Sequence, residues 1–283
     1  MISEATAAVG SPESHLDTIA ACQHYPRSWF EDETPQHMVR LDAFAIDRTP
    51  VTNAMFAAFV EATGHVTAAE RRGYGLVYGR DYWTTVSGIC WRHPHPRLDA
   101  PRDRPNHPVV HVDHTDATTY AIWAGKRLPS EAEWEHSAHG PDWMAWPWGN
   151  TWDRARAVTA EYWAGIEIRD LATWKAWWQP HYESHGPAPA TSEVGVLTNG
   201  RSPFGVLDMA GNVAEWTATP YLLYDRHRIY DPNYRAVADH GHFVVRGGGW
   251  KSFRWQTRTS ERIAVSPEYS APDLGFRCAR DLN

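Results

Sequence analysis

Asp208-Met209-Ala210-Gly211-Asn212-Val213-Ala214-Glu215-Trp216-Thr217 is the stretch from which the rest of the chain can be read. Two carboxylates, Asp208 and Glu215, flank a tight Gly211-Asn212 turn that runs straight into a Trp-Thr segment. A hard cation such as Ca2+ takes about six to eight oxygens, from carboxylates and backbone carbonyls gathered on one bent segment. Here Asp208 and Glu215 supply charge, and the carbonyls of Gly211 and Val213 supply neutral oxygens. The same spacing also suits a polar turn between two strands, so the stretch alone leaves both readings open.

Working outward, Gly205-Val206-Leu207 leads into this segment, while Val245-Arg246-Gly247-Gly248-Gly249-Trp250 and Leu274-Gly275-Phe276-Arg277 follow it. Upstream lies Lys126-Arg127-Leu128-Pro129-Ser130-Glu131-Ala132-Glu133-Trp134-Glu135. In this order, and from about Phe44 to Cys278, these motifs resemble the formylglycine-generating enzyme, or sulfatase-modifying factor, family. The resemblance implies an α+β, C-type-lectin-like fold of low regular secondary structure. Its expected parts are short twisted antiparallel sheets and two packed helices. One such domain is expected over residues 36–283, after an irregular arm at 1–35 and with a Trp-rich elaboration at about 158–186. It also implies Asp208, Gly211, Val213 and Glu215 as calcium ligands. A further calcium site would be expected near an Ala-Asn-aliphatic segment; this chain has Ala157-Val158-Thr159, and the Asn is missing.

Composition narrows the function classes. The net charge is −7 and no basic run occurs, which excludes a nucleic-acid footprint. No stretch approaches the roughly eighteen apolar residues a membrane span needs, and the first twenty residues carry Glu4, Glu13 and Asp17 rather than a signal-peptide core. Cys22, Cys90 and Cys278 form no Cys-x-x-Cys pair and no disulfide framework, so a reducing, cytoplasmic setting is expected. Sixteen Trp and twelve Tyr suit a loop-rich fold or a groove lined with rings.

Local patterns place the elements. Val39, Leu41, Phe44 and Ile46 alternate as strands; Thr52 caps a helix carrying Phe56, Phe59 and Val60 that stops at Gly64. Residues 66–108 show little regular pattern. His107–Val112 reads as a buried strand, with His111 a hydrogen-bonded core residue, and a helix is expected over about 115–124. Ser130 and Glu133 form a capping box for the next helix, which turns Trp134 inward. Ile168, Leu171 and Trp174 have helical spacing, His242–Arg246 reads as a strand, and a closing strand is expected near 275–279.

The chemistry departs from the resemblance. In formylglycine-generating enzymes two cysteines just after a Gly-Gly-Ser segment bind Cu(I), which soft thiolates select. The corresponding stretch, Gly247 to Gln256, has no Cys; the expected Ser is Gly249, and the Trp expected inside the calcium motif is Ala214. Formylglycine generation is therefore excluded, and copper is not expected. Sixteen histidines remain as metal-capable groups. His240 and His242, at i and i+2, share a strand face beside Asp239, as in a two-His-one-carboxylate Fe(II) site, and His114 stands where the family has a ring. His181 and His185 are a weaker pair. Trp83, Trp91 and Trp250 are candidate groove residues. Arg254 and Arg258 recur every fourth residue with Arg262 and could fork a substrate carboxylate, or form a salt-bridged face.

Two functional readings result, with catalytic residues unassigned in both. The first is a metal-dependent, O2-using oxidoreductase, Fe2+ rather than copper, acting on an amino-acid-derived small molecule or a peptide. The alternative is a non-catalytic, calcium-stabilised binding protein or pseudoenzyme holding a ligand or partner in the family groove. Neither involves nucleic acid or a membrane.

Overall fold

Capping chemistry sets the helix limits where the sequence predicts them. The Thr52 hydroxyl accepts the Met55 N–H, and the left-handed Gly64 closes the helix that follows. Ser130 and Glu133 form the expected reciprocal capping box. The computed structural model describes residues 1–23, 25–96, 103–184, 190–228, 230–238 and 240–282. Among them, in chain order, are β1 (Ala5–Val9), α1 (Glu13–Gln23), β2 (His37–Leu41), β3 (Phe44–Ile46), α2 (Asn53–Thr63), α3 (Ala68–Arg72), β4 (Tyr74–Tyr78) and β5 (Trp83–Ser87). Then come α4 (His114–Trp123), α5 (Glu131–His139), α6 (Ala160–Ala164), α7 (Leu171–Glu183), β6 (Ala214–Pro220) and α8 (Pro232–Ala238). Last are β7 (Phe243–Arg246), β8 (Arg262–Val265), β9 (Leu274–Phe276) and β10 (Ala279–Asp281). No helix of the described residues is long and apolar enough to cross a membrane.

The fold is mixed α and β, with short sheets, as expected. Three sheets have two strands each, β1–β2, β10–β3 and β4–β5, and the fourth runs β8-β7-β6-β9. One expectation is corrected: β6 and β9 pair in parallel, so that sheet is not wholly antiparallel. Residues 1–35 are not an irregular arm either. They form β1, paired along β2, then α1 and a tight 3-10 turn at Arg27–Glu33 that buries Phe30, Asp32 and Glu33. Residues 66–108 are likewise more regular than their sequence suggests, holding α3 and the β4–β5 hairpin. His107–Val112 carries one isolated bridge, Thr52 to Pro108, rather than a strand. Its His111 sits at φ 58, where extended pairing stops.

Pleating divides the four-stranded sheet into two chemically different faces. Register places Ala214, Trp216, Val245, Ile263, Leu274 and Phe276 on one face. Five of these six, all but Ile263, join Phe56 and Phe59 of α2 and Tyr120 of α4 in the main apolar core. Each fully buried ring or branched chain there contributes about 1.5–3 kcal/mol. The opposite face carries charge: Arg246 reaches Glu135 and Glu131 of α5, and Arg262 forks Glu131 at 2.7 and 2.9 Å. A second cluster gathers Trp174 and Trp178 of α7, Tyr78, Val158 and Trp250, so the Trp-rich segment packs beside the Gly247–Trp250 turn.

Candidate functional site

A glycine turn builds the site. Gly247 and Gly248 take positive φ of 86° and 64°, conformations that favour residues without a Cβ. At Gly249 a Cβ would lie 2.7 Å from the Cβ of Asp273 and 2.8 Å from its carbonyl, so only glycine lets Asp273 approach. The Ser252 hydroxyl accepts the Gly249 N–H at 3.0 Å, and the Ser252 N–H returns to the Gly249 carbonyl at 2.9 Å. This closed turn projects Lys251 from its corner. Its ammonium stands 3.4 Å from Asp273, 4.8 Å over the Trp83 ring and 5.8 Å over that of Tyr78. Asp273 is fixed from behind, its carbonyl accepting the Ala214 N–H at 2.8 Å.

Lys251 and Asp273 stand at a cavity of about 340 Å³ lined also by Trp83, Ala214, Val245, Ile263, Val265, Tyr269 and Leu274. Its floor is the apolar face of the sheet; its charged and aromatic groups come from loops and from β5. Three departures from the resembled family meet here. Ala214, in place of Trp, leaves the space open; Gly249, in place of Ser, admits Asp273; and Lys251 lies in the stretch where thiolates would be expected. Trp83 lines the cavity, whereas Trp250 is 4% exposed and backs the turn, donating its indole N–H to the Pro272 carbonyl at 3.1 Å.

Other candidates lie elsewhere. Trp91 is buried in the main core with its indole N–H on Glu70 at 3.2 Å, so it does not wall a groove. Arg258 is wholly buried, paired with Glu33 and Glu261, and is unavailable to a substrate carboxylate. Arg254 is held by Glu161 at 2.8 Å and Glu167 at 2.9 Å. These arginines take the salt-bridged alternative.

Among the described residues, the histidines of the proposed redox set are turned to other partners. His114 stacks on Phe243 with ring centroids 3.7 Å apart and its Nε2 lies 3.1 Å from the Thr217 carbonyl, while burial lowers its pKa. The His240 and His242 rings stand 6.4 Å apart, and the His240 Nδ1 is turned onto the Ala236 carbonyl of α8. Asp239 and His185 lie outside the described residues. Among the described residues no three His, Cys, Asp or Glu side chains gather in a metal-binding group. Cys90 and Cys278 are both buried, and burial pushes the Cys278 thiol up to about 12. Among the described residues, therefore, the donors do not fit a Cu(I) dithiolate or an Fe(II) facial set.

The calcium candidates divide. Asp208, Gly211 and Asn212 bend the backbone through positive φ of 56°, 77° and 65°. Asp208 Oδ2 accepts the Gly195 N–H at 2.7 Å, and burial pushes its carboxyl up to about 6, a state a cation would reverse. Glu215 is not free to meet a cation. Its oxygens accept Arg277 Nε at 2.6 Å, Arg277 Nη2 at 2.7 Å and the Trp134 indole at 2.8 Å, all fully buried. Its observed work is an internal ion pair tying β6 to the chain after β9, and Gly211 and Val213 lie in the turn just before β6.

Sequence reasoning missed Asp273, Tyr269 and Ser266, which reach the cavity from the loop between β8 and β9. The available signal was the Pro272-Asp273 pair just before the Leu274–Arg277 motif. Lys251 was visible only as a residue unable to replace a thiolate.

Comparison with known proteins agrees with this fold. The Sulfatase-modifying factor enzyme 1-like domain matches residues 9–282. The formylglycine-generating enzyme of Streptomyces coelicolor is 37% identical over 281 residues, covering 89% of this chain and 83% of that protein. The inactive C-alpha-formylglycine-generating enzyme 2 of Bos taurus is 30% identical, covering 88% and 81%. The structure of PvdO from Pseudomonas aeruginosa superposes with a TM-score of 0.63 at 24% identity, covering 99% of this chain and 92% of that one. The chain belongs to the sulfatase-modifying factor enzyme 1-like family.

Proposed function

We propose that this chain is a binding member of its family without the copper-binding cysteine pair, holding an amino-acid-derived small molecule or a peptide in the cavity between Trp83, Lys251 and Asp273. One observation carries the reading: the departures at Ala214, Gly249 and Lys251 converge on that single cavity. Random loss of a catalytic cysteine pair would leave no reason for a coordinated opening, an ion pair and an aromatic wall in one place. A volume near 340 Å³ falls within the range of small-molecule sites, and an apolar floor with few convergent polar groups is their usual build. The inactive relative from Bos taurus supports the idea that the fold serves without the oxidation. The oxygen-using metal enzyme expected first from the sequence draws no support from the histidines, since His114 and His240 are turned to other partners. Ca2+ held by Asp208 and neighbouring carbonyls acts here as a brace for the turn that starts β6. A cytoplasmic setting is part of the same proposal.

The test is a ligand-observed NMR screen of small polar metabolites and short peptides against the chain and its Ala214→Trp variant. Indole bulk at 214 should fill the cavity, so binders of the unmodified chain should lose their signal. Binders that persist equally in the variant would place the ligand site elsewhere.

A further inference from the structure

We infer that the Lys251–Asp273 pair recognises the zwitterionic backbone of a free apolar α-amino acid whose side chain lies on the Val245–Ile263–Leu274 floor. This deepens the binding reading above and rests on it. The pair is separated by 3.4 Å, longer than the roughly 2.7–2.9 Å of a closed charge-assisted bond, so neither partner is saturated by the other. Their side chains are 25% and 15% exposed, enough for a ligand to reach them and little enough for water to be largely displaced. On its other side the ammonium faces the Trp83 and Tyr78 rings, which attract a cation but accept no ordinary hydrogen bond, so its remaining N–H groups point to the ligand space.

Charge pattern narrows the ligand class. A simple carboxylate meets Lys251 but is repelled by Asp273; a simple amine meets Asp273 but is repelled by Lys251. An α-amino acid carries both charges one carbon apart, so it lies alongside the pair, carboxylate to Lys251 and ammonium to Asp273, and satisfies both at once. Discrimination then rests on repulsion of each single-charge analogue as much as on attraction. The side-chain preference follows from Ala214, Val245, Ile263, Val265 and Leu274, which offer methyl groups and no polar side-chain atom. About 340 Å³ accommodates a leucine- or phenylalanine-sized molecule with its backbone, and Tyr269 lines the loop side of the same cavity.

Isothermal titration with L-phenylalanine tests this, alongside 3-phenylpropanoate, phenethylamine and N-acetyl-L-phenylalanine methylamide. The expected result is binding of L-phenylalanine with each single-charge analogue at least tenfold weaker. Lys251→Met and Asp273→Asn should each weaken L-phenylalanine at least tenfold, with circular dichroism confirming that both variants fold. Lys251→Gln, smaller in its perturbation, should show the same direction. Equal affinity for L-phenylalanine and either single-charge analogue overturns the zwitterion proposal. Binding of the capped methylamide to the unmodified chain but not to Ala214→Trp overturns it too, while leaving the cavity as the ligand site. Absence of binding by all four compounds also rejects it, and the NMR screen then decides separately whether the broader binding reading falls.

Discussion

Replacing Arg277 with Met should destabilise the chain severely. Arg277 is fully buried and spends all five guanidinium donors: two on Glu215 at 2.6 and 2.7 Å, and the rest on the carbonyls of Leu207, Asp47 and Arg48 at 2.8, 3.1 and 3.3 Å. It ties together the end of β9, the start of β6 and the loop after β3. Met fills much of the volume but leaves the Glu215 carboxylate buried with only the Trp134 indole for company. Breaking a buried pair in this way costs about 3–5 kcal/mol. For a chain of 283 residues that is a fall in melting temperature of about 6–10 °C. Urea unfolding followed by tryptophan fluorescence measures it. The double variant Arg277→Met with Glu215→Leu should recover about 2 kcal/mol, because no charge is then stranded. The reasoning fails if Arg277→Met melts within 2 °C of the unmodified chain. It also fails if millimolar Ca2+ restores the variant, since Glu215 would then be chiefly a calcium ligand.

The remaining predictions concern pH, the cation and the Trp-rich cluster. Burial pushes Asp32 and Glu135 up to about 7, so the folded chain holds protons that the unfolded chain releases above about pH 4. Their contribution to stability therefore falls as pH rises from about 4 to about 7; His107 and His111, lowered to about 4, work in the opposite sense by losing stability as pH falls below about 6.5. Comparing Asp32→Asn with the unmodified chain isolates the acid: the variant should gain about 1–3 kcal/mol relative to it between pH 5 and pH 8 in urea unfolding. Chelation with EGTA should lower the melting temperature, by up to about 2.7 kcal/mol of stability if calcium had stood a hundredfold above its Kd, and Asp208→Asn should abolish that response in differential scanning calorimetry. Trp178, stacked on Trp174 at 5.5 Å and 9°, should cost about 3–5 kcal/mol when cut to Ala, measured by urea unfolding.

The parts legible in the sequence were those governed by local chemistry. Thr52, Gly64, Ser130 and Glu133 announce their helix ends because capping involves residues within four positions of one another. Motifs after Phe44 announced the family because several stand in order along the chain. What was illegible depended on long-range burial. Asp32 and Glu33 look like solvent-facing acids in a polar leader, yet Glu33 pairs with Arg258 more than two hundred residues away, and Phe30, Asp32 and Glu33 are buried. Arg258 looked available to a ligand for the same reason. Trp91 and Trp83 are alike in sequence, and only packing separates one in the main core from one at the cavity. Lys251 and Asp273 lie 22 residues apart, and their meeting depends on a glycine whose missing Cβ has no signature beyond the residue itself.

Elemental analysis of the purified chain, before and after anaerobic loading with Fe(II) and with Cu(I), tests the central claim most directly. A binding member without the cysteine pair should retain Ca2+ and wash free of both redox metals. About one Fe or Cu retained per chain, and lost when His114, His240 and His242 are replaced by Ala, would contradict the account and restore the oxidoreductase reading.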